Sequence, residues 1–190
     1  MNIPVLTIIA GSNGSGKSTL TKSAREVFQD GPILDPDAFA RSAIISSSKI
    51  ESPIESGRRV LRRAEDLLQA KQDFTVETTL SGSTYLKMVR RAKRSGYFIL
   101  LIFVGTKNVE INIERIRARV EKGEHDVPEE DQRRRFPRTL VNLKRLLPDV
   151  NILILLDNST STGFSLVAYG TPSQIHWNEP LPLWAASLQS

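Results

Sequence analysis

Residues 8–20 of the chain read IIAGSNGSGKSTL. Gly11, Gly16, Lys17 and Ser18 complete the pattern G-x-x-x-x-G-K-[ST], which is the phosphate-binding P-loop. An apolar run precedes the pattern and a segment that can form a helix follows it, so the predicted context is strand, loop and helix. Backbone amides in such a loop form a concave nest for phosphate oxygens, and the helix N-terminus adds partial positive charge. The stretch therefore predicts nucleotide binding.

The residue types in the loop suit individual tasks. Lys17 is placed to reach the outer phosphates, and the Ser18 hydroxyl is placed to ligate Mg²⁺. ATP or GTP with Mg²⁺ is the expected cofactor. The residues expected to contact the nucleotide are Gly11, Ser12, Asn13, Gly14, Ser15, Gly16, Lys17, Ser18 and Thr19. The loop alone does not separate kinases from ATPase motors or GTPases, because all three classes use it.

Composition and charge narrow the class of protein. The chain has 190 residues, of which 39% are hydrophobic and 25% charged, and this fits one soluble domain over residues 1–190. There is no cysteine, which excludes a disulfide framework and a thiolate metal site. The apolar run at 98–104 is too short to span a bilayer, and the first residues lack a secretion-signal pattern. We therefore expect a cytoplasmic protein without membrane contact, whose net charge of +5 favours anionic partners.

Apolar runs alternate with helical periodicity, which is typical of βα units and a mainly parallel sheet. Five strands are predicted at residues 5–10, 33–34, 74–77, 97–104 and 151–156. After these, FSLVAYG and QIHW predict a hairpin at the edge of the sheet, and NEPLPLW predicts an extended segment. The predicted fold is α/β, of the P-loop NTPase class, with a mainly parallel five-stranded sheet, helices on both faces and a C-terminal edge hairpin.

Local signals mark the helices between the strands. The SPIE sequence at residues 52–55 forms a capping box, and Gly96 is placed to end the helix that follows Ser81. Another helix is predicted at residues 109–121. An arginine-rich helix comes next, and Pro137 is expected to interrupt or kink it.

Carboxylates at strand ends are the candidates for handling a second substrate, because the carboxyl ends of parallel strands face the ligand crevice. Asp37, in ILDPDAFA, is placed to act as the base for a substrate hydroxyl, which a kinase needs. Alternatively, Asp35 or Asp37 caps the helix that starts at Ala38. Glu77 ends a strand and either holds a substrate hydroxyl or a water on Mg²⁺, or is a solvated strand end. Asp157, at the end of ILILLDN, is a weaker candidate for directing a metal.

Arginines near a polar segment predict a lid that neutralises phosphate charge. The predicted lid covers about residues 121–137, and Arg115 and Arg119 share the face of the helix before it. The run RRRFPR at residues 133–138 supplies more arginines, although most arginines in such runs are solvated. A well-placed arginine accelerates phosphoryl transfer by ~10³ to 10⁵. His125 is placed to contact a base or a sugar, although a histidine in a loop more often has no such role.

The order of these motifs resembles the zeta toxin family of P-loop kinases. The resemblance covers about residues 3–170 and rests on the P-loop, DPDAFA, VETTLSG, RVEKGEHDVP, RRRFPRTLVNL and LLDNS. It implies an ATP- or GTP-dependent kinase with a nucleoside-kinase-like sheet. Characterised members phosphorylate the sugar 3′-hydroxyl of UDP-N-acetylglucosamine, so the resemblance implies a small-molecule acceptor, with a UDP-sugar as the leading candidate. If an antitoxin exists, it would be a separate chain.

The same resemblance assigns roles to individual residues. Asp37 would take the hydroxyl proton, Glu77 and Thr78 would belong to the acceptor-sugar site, and Arg119 and Arg134 would clamp the phosphates. Lys17 and Ser18 would keep their P-loop roles. Two positions depart from the family pattern, namely Asp35 in place of a more usual asparagine and Glu124 in place of a glycine.

Two other functions remain open on the sequence. A polynucleotide 5′-hydroxyl kinase is compatible with the charge of +5 and the arginine-rich helices. However, only 6% of the residues are aromatic and no strand shows base-stacking aromatics, so nucleic acid is a less favoured partner. A non-catalytic nucleotide-binding regulatory protein is the other alternative, and it predicts that Asp37 is only a helix cap.

Overall fold

The computed structural model describes residues 2–24, 31–36, 53–123 and 126–189. The elements within these ranges follow in the order β1 (Val5–Ala10), α1 (Lys17–Ser23), β2 (Ile33–Leu34), α2 (Pro53–Gln69), β3 (Phe74–Thr78), α3 (Thr84–Arg94), β4 (Phe98–Gly105), α4 (Val109–Val120), α5 (Glu129–Leu146), β5 (Ile152–Asp157), β6 (Ser165–Thr171), β7 (Gln174–Trp177) and α6 (Leu183–Ala186). No helix in these ranges has both the length and the apolar character needed to cross a bilayer.

The strands form one sheet in the order β2-β3-β1-β4-β5-β6-β7. The first five strands in that order are parallel, and β6 and β7 are antiparallel to their neighbours. The five predicted strands are confirmed to within one residue at each end, and the predicted edge hairpin is confirmed as β6 and β7. The sheet therefore has seven strands rather than five, because the hairpin continues it instead of standing apart.

The central strand, β1, explains why an apolar run precedes the P-loop. Leu6, Ile8, Ile9 and Ala10 are fully buried, since β3 and β4 flank the strand and helices cover its faces. Strands that are covered on both faces are continuously apolar rather than alternating. In the parallel register, Ile9 lies opposite Glu77. The end of β1 and the end of β3 therefore meet at one edge of the sheet.

The helices pack by their apolar faces, as the periodicity predicts. In α2, Val60, Ala64 and Leu67 are buried, whereas Arg62 and Arg63 are exposed. The helix α3 ends at Arg94, with Gly96 at a φ of +83° two residues later. The predicted cap of α2 at Ser52 lies outside the described residues.

Two expectations about local structure are corrected in part. Pro137 does not interrupt the arginine-rich segment, since α5 runs through it from Glu129 to Leu146. Pro137 and Arg133 are both exposed, so water can hydrogen-bond the carbonyl that loses its helical partner. The C-terminal segment is not extended throughout, because Leu183–Ala186 form a helix whose Trp184 is buried. The burial of the large indole ring outweighs the local preference of the flanking prolines for extended structure.

Candidate active site

The loop between β1 and α1 holds its glycines in positive-φ backbone conformations. Gly16, the last residue before α1, has a φ of +106°, which favours glycine. A side chain there would also meet the amide of Asn158, since a Cβ would lie 2.4 Å from Asn158 Nδ2. Lys17 Nζ donates to the Ser12 carbonyl oxygen at 3.0 Å, and Ser15 N donates to the same oxygen at 3.2 Å. The lysine therefore folds back over the loop, on the side where phosphates would bind.

Two neighbouring segments hold the loop from outside. Asn158, directly after β5, donates from Nδ2 to the Ser15 carbonyl oxygen at 2.8 Å and from its backbone N–H to the Gly105 carbonyl oxygen at 2.9 Å. Gly14 lies against α4, where a Cβ would be 2.6 Å from the Asn112 carbonyl oxygen. Sequence reasoning missed Asn158, although the motif LLDNS contains it, because only the preceding aspartate has metal-directing chemistry.

Glu77 connects β3 to the P-loop helix. Its side chain accepts from Ser18 Oγ at 3.0 Å through one carboxylate oxygen and from Thr21 Oγ1 at 2.5 Å through the other. Glu77 is only 4% exposed, so it is not a solvated strand end. Both hydroxyls stabilise a carboxylate that would be costly to bury alone. The structure thus brings Ser18 and Glu77, both predicted site residues, into direct contact.

The segment after β3, residues 79–82, is fixed by the arginine-rich helix, and we call it the β3 loop. Thr139 Oγ1 donates to the Thr79 carbonyl oxygen, and Asn142 Nδ2 donates to the Leu80 carbonyl oxygen, each at 2.8 Å. Leu80 has a φ of +54°, and its N–H donates to Thr78 Oγ1 at 3.0 Å. Thr78 is buried, so its hydroxyl shapes the loop from inside. The expected acceptor side is therefore coupled mechanically to α5.

Asp157 anchors the C-terminal helix. Its Oδ1 accepts from Trp184 Nε1 at 2.7 Å and from Ser159 Oγ at 2.9 Å, and its Oδ2 accepts from Ser159 N at 3.0 Å. Three donors thus engage the carboxylate. These bonds give Asp157 a structural role, and its role in directing a metal stays a prediction.

The arginines of α4 and α5 differ in their surroundings. Arg119 is half-buried on α4, whereas Arg134 is exposed on α5 and pairs with Asp131. Arg135 pairs with the same carboxylate at 2.7 Å, and the hydrogen bond from Arg134 is the main cause that holds the pKa of Asp131 below its ordinary value. Arg115 Nη2 donates to the Thr160 carbonyl oxygen at 3.4 Å. The described part of the predicted lid is mostly the first half of α5.

The remaining predicted residues lie at or beyond the end of β2. Asp37 and His125 lie outside the described residues. Asp35 directly follows β2 and is buried. Burial, with the charge of Asp35 as a second cause, raises the pKa of Tyr85 to about 12. The start of α3 therefore lies close to the end of β2.

The donors near the loop fit Mg²⁺ bound together with nucleotide phosphates. In the described ranges no three acidic or histidine side chains gather into a group that could hold a metal by themselves. Mg²⁺ keeps several waters and usually binds through one or two protein groups plus substrate phosphates. The Ser18 hydroxyl, backed by Glu77, is a donor of that kind.

The described residues also line a cavity of about 370 Å³ beside β2, the outermost strand of the sheet on the side away from the hairpin. It lies between β2 and α2, and its charged lining consists of Arg59, Arg62, Arg63 and Asp66. None of its lining residues belongs to the P-loop, so it is separate from the phosphate site.

The sequence matches the family model of the zeta toxins over residues 2–153. This chain belongs to the zeta toxin family. The match includes the P-loop, Glu77 and the arginines of α4 and α5, whereas Asn158 and Trp184 lie beyond it. An uncharacterized protein from Haemophilus influenzae is 32% identical over 126 residues, which is 66% of this chain and 88% of that protein.

Solved structures share the fold of this zeta toxin family member. The AvrRxo1-ORF1:AvrRxo1-ORF2 complex with sulphate ions is similar with a TM-score of 0.74 and 18% identity, over 94% of this chain and 62% of that chain. That complex has also been solved with ATP. The PezAT chromosomal toxin-antitoxin system of Streptococcus pneumoniae is similar with a TM-score of 0.64 and 17% identity, over 89% of this chain and 72% of that chain. The chain thus spans less than two thirds of the AvrRxo1 chain it matches.

Proposed function

We propose that this chain is an ATP- or GTP-dependent kinase that transfers the γ-phosphoryl group to a hydroxyl of a small molecule. The observation that carries the proposal is the contact between the P-loop and Glu77, because it joins a phosphate-binding element to a buried carboxylate of the adjacent strand. Membership of the zeta toxin family supports a phosphotransferase, and the ATP-bound AvrRxo1 complex supports a nucleotide on the same fold.

The residues of this chain can bind the nucleotide and neutralise the negative charge of its phosphates. The amides of the loop bind the phosphate oxygens, and Lys17 neutralises charge on the outer phosphates. Ser18 would hold Mg²⁺, which would supply positive charge to neutralise the nucleotide phosphates. Arg119 and Arg134 are the arginines proposed to stabilise the negative charge of the transferring group, and Arg134 would exchange Asp131 for phosphate.

The acceptor half is proposed to lie where β2 and β3 end. Asp37, two residues after the buried Asp35, would take the proton from the acceptor hydroxyl while that oxygen bonds to the γ-phosphorus. The bond from phosphorus to the β–γ bridging oxygen breaks, and the nucleoside diphosphate leaves. Thr78 and the β3 loop would form the acceptor side together with His125. Each Glu77 oxygen keeps a further lone pair for an acceptor hydroxyl.

UDP-N-acetylglucosamine is the proposed acceptor, in line with the family. A cytoplasmic location follows, since nucleotide sugars and ATP occur there. The toxin-antitoxin systems among the structural neighbours support a further proposal, that a separate antitoxin chain binds this protein.

The test is transfer of labelled γ-phosphate to UDP-N-acetylglucosamine, to nucleosides and to DNA with a 5′-hydroxyl end. We expect transfer to one small molecule, loss of transfer in Asp37→Asn with nucleotide binding kept, and loss of nucleotide binding in Lys17→Ala. Asp66→Asn, an exposed aspartate on α2, is the matched control and should transfer normally.

Three outcomes would contradict the proposal. Normal transfer by Asp37→Asn would remove Asp37 as the base. Transfer to DNA alone would favour the polynucleotide kinase. Nucleotide binding without any transfer would leave a regulatory nucleotide-binding protein.

A further inference from the structure

We propose that Thr21 is a positioning residue for the divalent cation, acting through Glu77 on the hydroxyl of Ser18. The inference rests on the nucleotide site of the proposed function and adds a residue outside the P-loop pattern. It concerns how the cation ligand is oriented, and it does not depend on which acceptor the enzyme uses.

The geometry of the three side chains is specific. Ser18 and Thr21 are three residues apart on α1, so their hydroxyls lie on one face of the helix. That face meets the end of β3, where Glu77 accepts one hydrogen bond at each carboxylate oxygen. Both Thr21 and Glu77 are buried, so little water can compete for the hydrogen bond between them.

The Thr21 hydroxyl has one hydrogen and two acceptors within reach. The Lys17 carbonyl oxygen is at 3.0 Å and a Glu77 oxygen is at 2.5 Å. A separation of 2.5 Å is typical of a charge-assisted bond from a hydroxyl to a carboxylate, which is stronger than a bond to a neutral carbonyl. The hydrogen of Thr21 is therefore directed to Glu77.

The bond from Thr21 to Glu77 fixes the orientation of the carboxylate plane, and that orientation fixes the direction of the Ser18 hydroxyl. Ser18 donates its only hydrogen to the other oxygen of Glu77. Its Oγ lone pairs then point away from the carboxylate, which is the arrangement a cation ligand needs, and donation to a carboxylate raises the negative charge on Oγ. Without Thr21, one oxygen of Glu77 loses its donor in a buried place, and the carboxylate can turn away from Ser18.

Thr21 thus corresponds to the outer-shell residues of known metal sites, which orient the metal ligands through hydrogen bonds. Loss of such a partner typically costs 10–100-fold in metal affinity. A merely structural role of Thr21 would instead lower folding stability and weaken nucleotide binding equally with and without the cation.

The experiment measures nucleotide affinity by calorimetry at increasing Mg²⁺ and in excess EDTA. The variants are Thr21→Val, which keeps the shape but removes the hydroxyl, and Thr21→Ser, which keeps the hydroxyl. Ser23→Ala is the matched control, since it removes an exposed hydroxyl of α1 that donates to the Leu20 carbonyl oxygen and not to Glu77. Thermal unfolding of each variant is recorded alongside.

We expect the Mg²⁺ midpoint of Thr21→Val to rise about 10-fold or more, with unchanged affinity in EDTA. Thr21→Ser and Ser23→Ala should match the wild type. An unchanged Mg²⁺ midpoint in Thr21→Val, or an equal loss of affinity with and without Mg²⁺, would overturn the inference. Should Thr21→Val fail to fold, Thr21→Ala provides the same comparison, because it also removes the hydroxyl and leaves Glu77 and Ser18 in place. A wild-type protein that binds no nucleotide under either condition would instead refute the proposed function.

Discussion

Trp184 donates its indole N–H to Asp157 Oδ1 at 2.7 Å and so fixes the C-terminal helix to the end of β5. The ring packs on Phe103, with centroids 5.4 Å apart, and covers Gly105, where a Cβ would lie 2.3 Å from the ring. Trp184 is 5% exposed. The residue after Asp157 is Asn158, whose side chain donates to the Ser15 carbonyl oxygen of the P-loop. The C-terminal helix therefore supports the P-loop indirectly, through the end of β5.

Replacing Trp184 by phenylalanine tests the stabilising part of this contact. The variant keeps an aromatic ring against Gly105 but removes one donor to a carboxylate. We expect a loss of about 1.5–3 kcal/mol in the free energy of unfolding, the usual contribution of a hydrogen bond to a charged group. Urea denaturation measures it, with Trp177→Phe on β7 as the control. Equal midpoints for Trp184→Phe and the wild type would mean that the hydrogen bond adds nothing.

Replacing Asn158 by alanine should weaken nucleotide binding without unfolding the protein. The variant loses the bond to the Ser15 carbonyl oxygen, which is worth about 0.5–1.5 kcal/mol, and the loop becomes less preorganised. The expected loss in affinity is roughly 2-fold to 10-fold. Asn178→Ala is a matched control, because Asn178 makes the same kind of bond to the Leu166 carbonyl oxygen of β6 and not to the P-loop. If both variants bind nucleotide equally well, Asn158 does not organise the loop.

Replacing Asn142 by leucine should disturb the acceptor side more than the nucleotide side. The Leu80 carbonyl would lose its donor in a buried place, at a cost of about 1–3 kcal/mol, and the positive φ of Leu80 would lose its support. We expect a higher KM for the acceptor with an unchanged KM for the nucleotide. Thr139→Val should act in the same direction, while Thr139→Ser keeps the hydroxyl and should not. Equal changes in both KM values would refute the coupling of α5 to the β3 loop.

Tyr85 makes stability depend on pH in the alkaline range. Its folded-state pKa is raised to about 12 from the ordinary value of 10, so the neutral phenol is favoured in the folded protein. This contribution is fully present below pH 10 and is lost as the pH rises through the folded pKa, and it amounts to about 2–3 kcal/mol. Urea unfolding at pH 9 and above pH 11 should therefore show that the free energy of unfolding falls less at alkaline pH in Tyr85→Phe than in the wild type.

The ultraviolet absorbance of phenolate provides an independent check on Tyr85. The chain contains three tyrosines, and the phenolate signal that titrates near pH 12 should be reduced in Tyr85→Phe. Asp35→Asn should move that signal to lower pH, because the charge of Asp35 is the second cause of the raised pKa. Identical alkaline titrations of the wild type and Tyr85→Phe would contradict the burial of this phenol.

Local signals in the sequence predicted most of the fold. The apolar runs of β1, β4 and β5 have the composition of strands covered on both faces, so their ends could be placed within one residue. The P-loop could be recognised because its glycines and its lysine are adjacent in the chain. Pro137 does not interrupt α5, because a proline acts only on its own turn, whereas the buried face of the helix holds it together across that turn.

The sequence predicts which residues belong to the candidate site, but it does not predict which of them contact one another. Glu77 was singled out as a carboxylate in an apolar run, yet its partners could be a sugar, a water or a hydroxyl. Thr21 was not singled out at all, since a threonine inside a helix carries no special pattern. The contact between Thr21 and Glu77 joins positions 56 residues apart.

The P-loop, the parallel strands and the edge hairpin can be read from the sequence, because neighbouring residues specify them through backbone preference and hydrophobic period. The contacts of Glu77 with Ser18 and Thr21, of Asn158 with the loop and of Trp184 with Gly105 emerge only once the chain is folded. These contacts depend on which strand ends meet at one edge of the sheet. Burial then determines which polar groups bond to one another, and no local sequence pattern shows which groups these are.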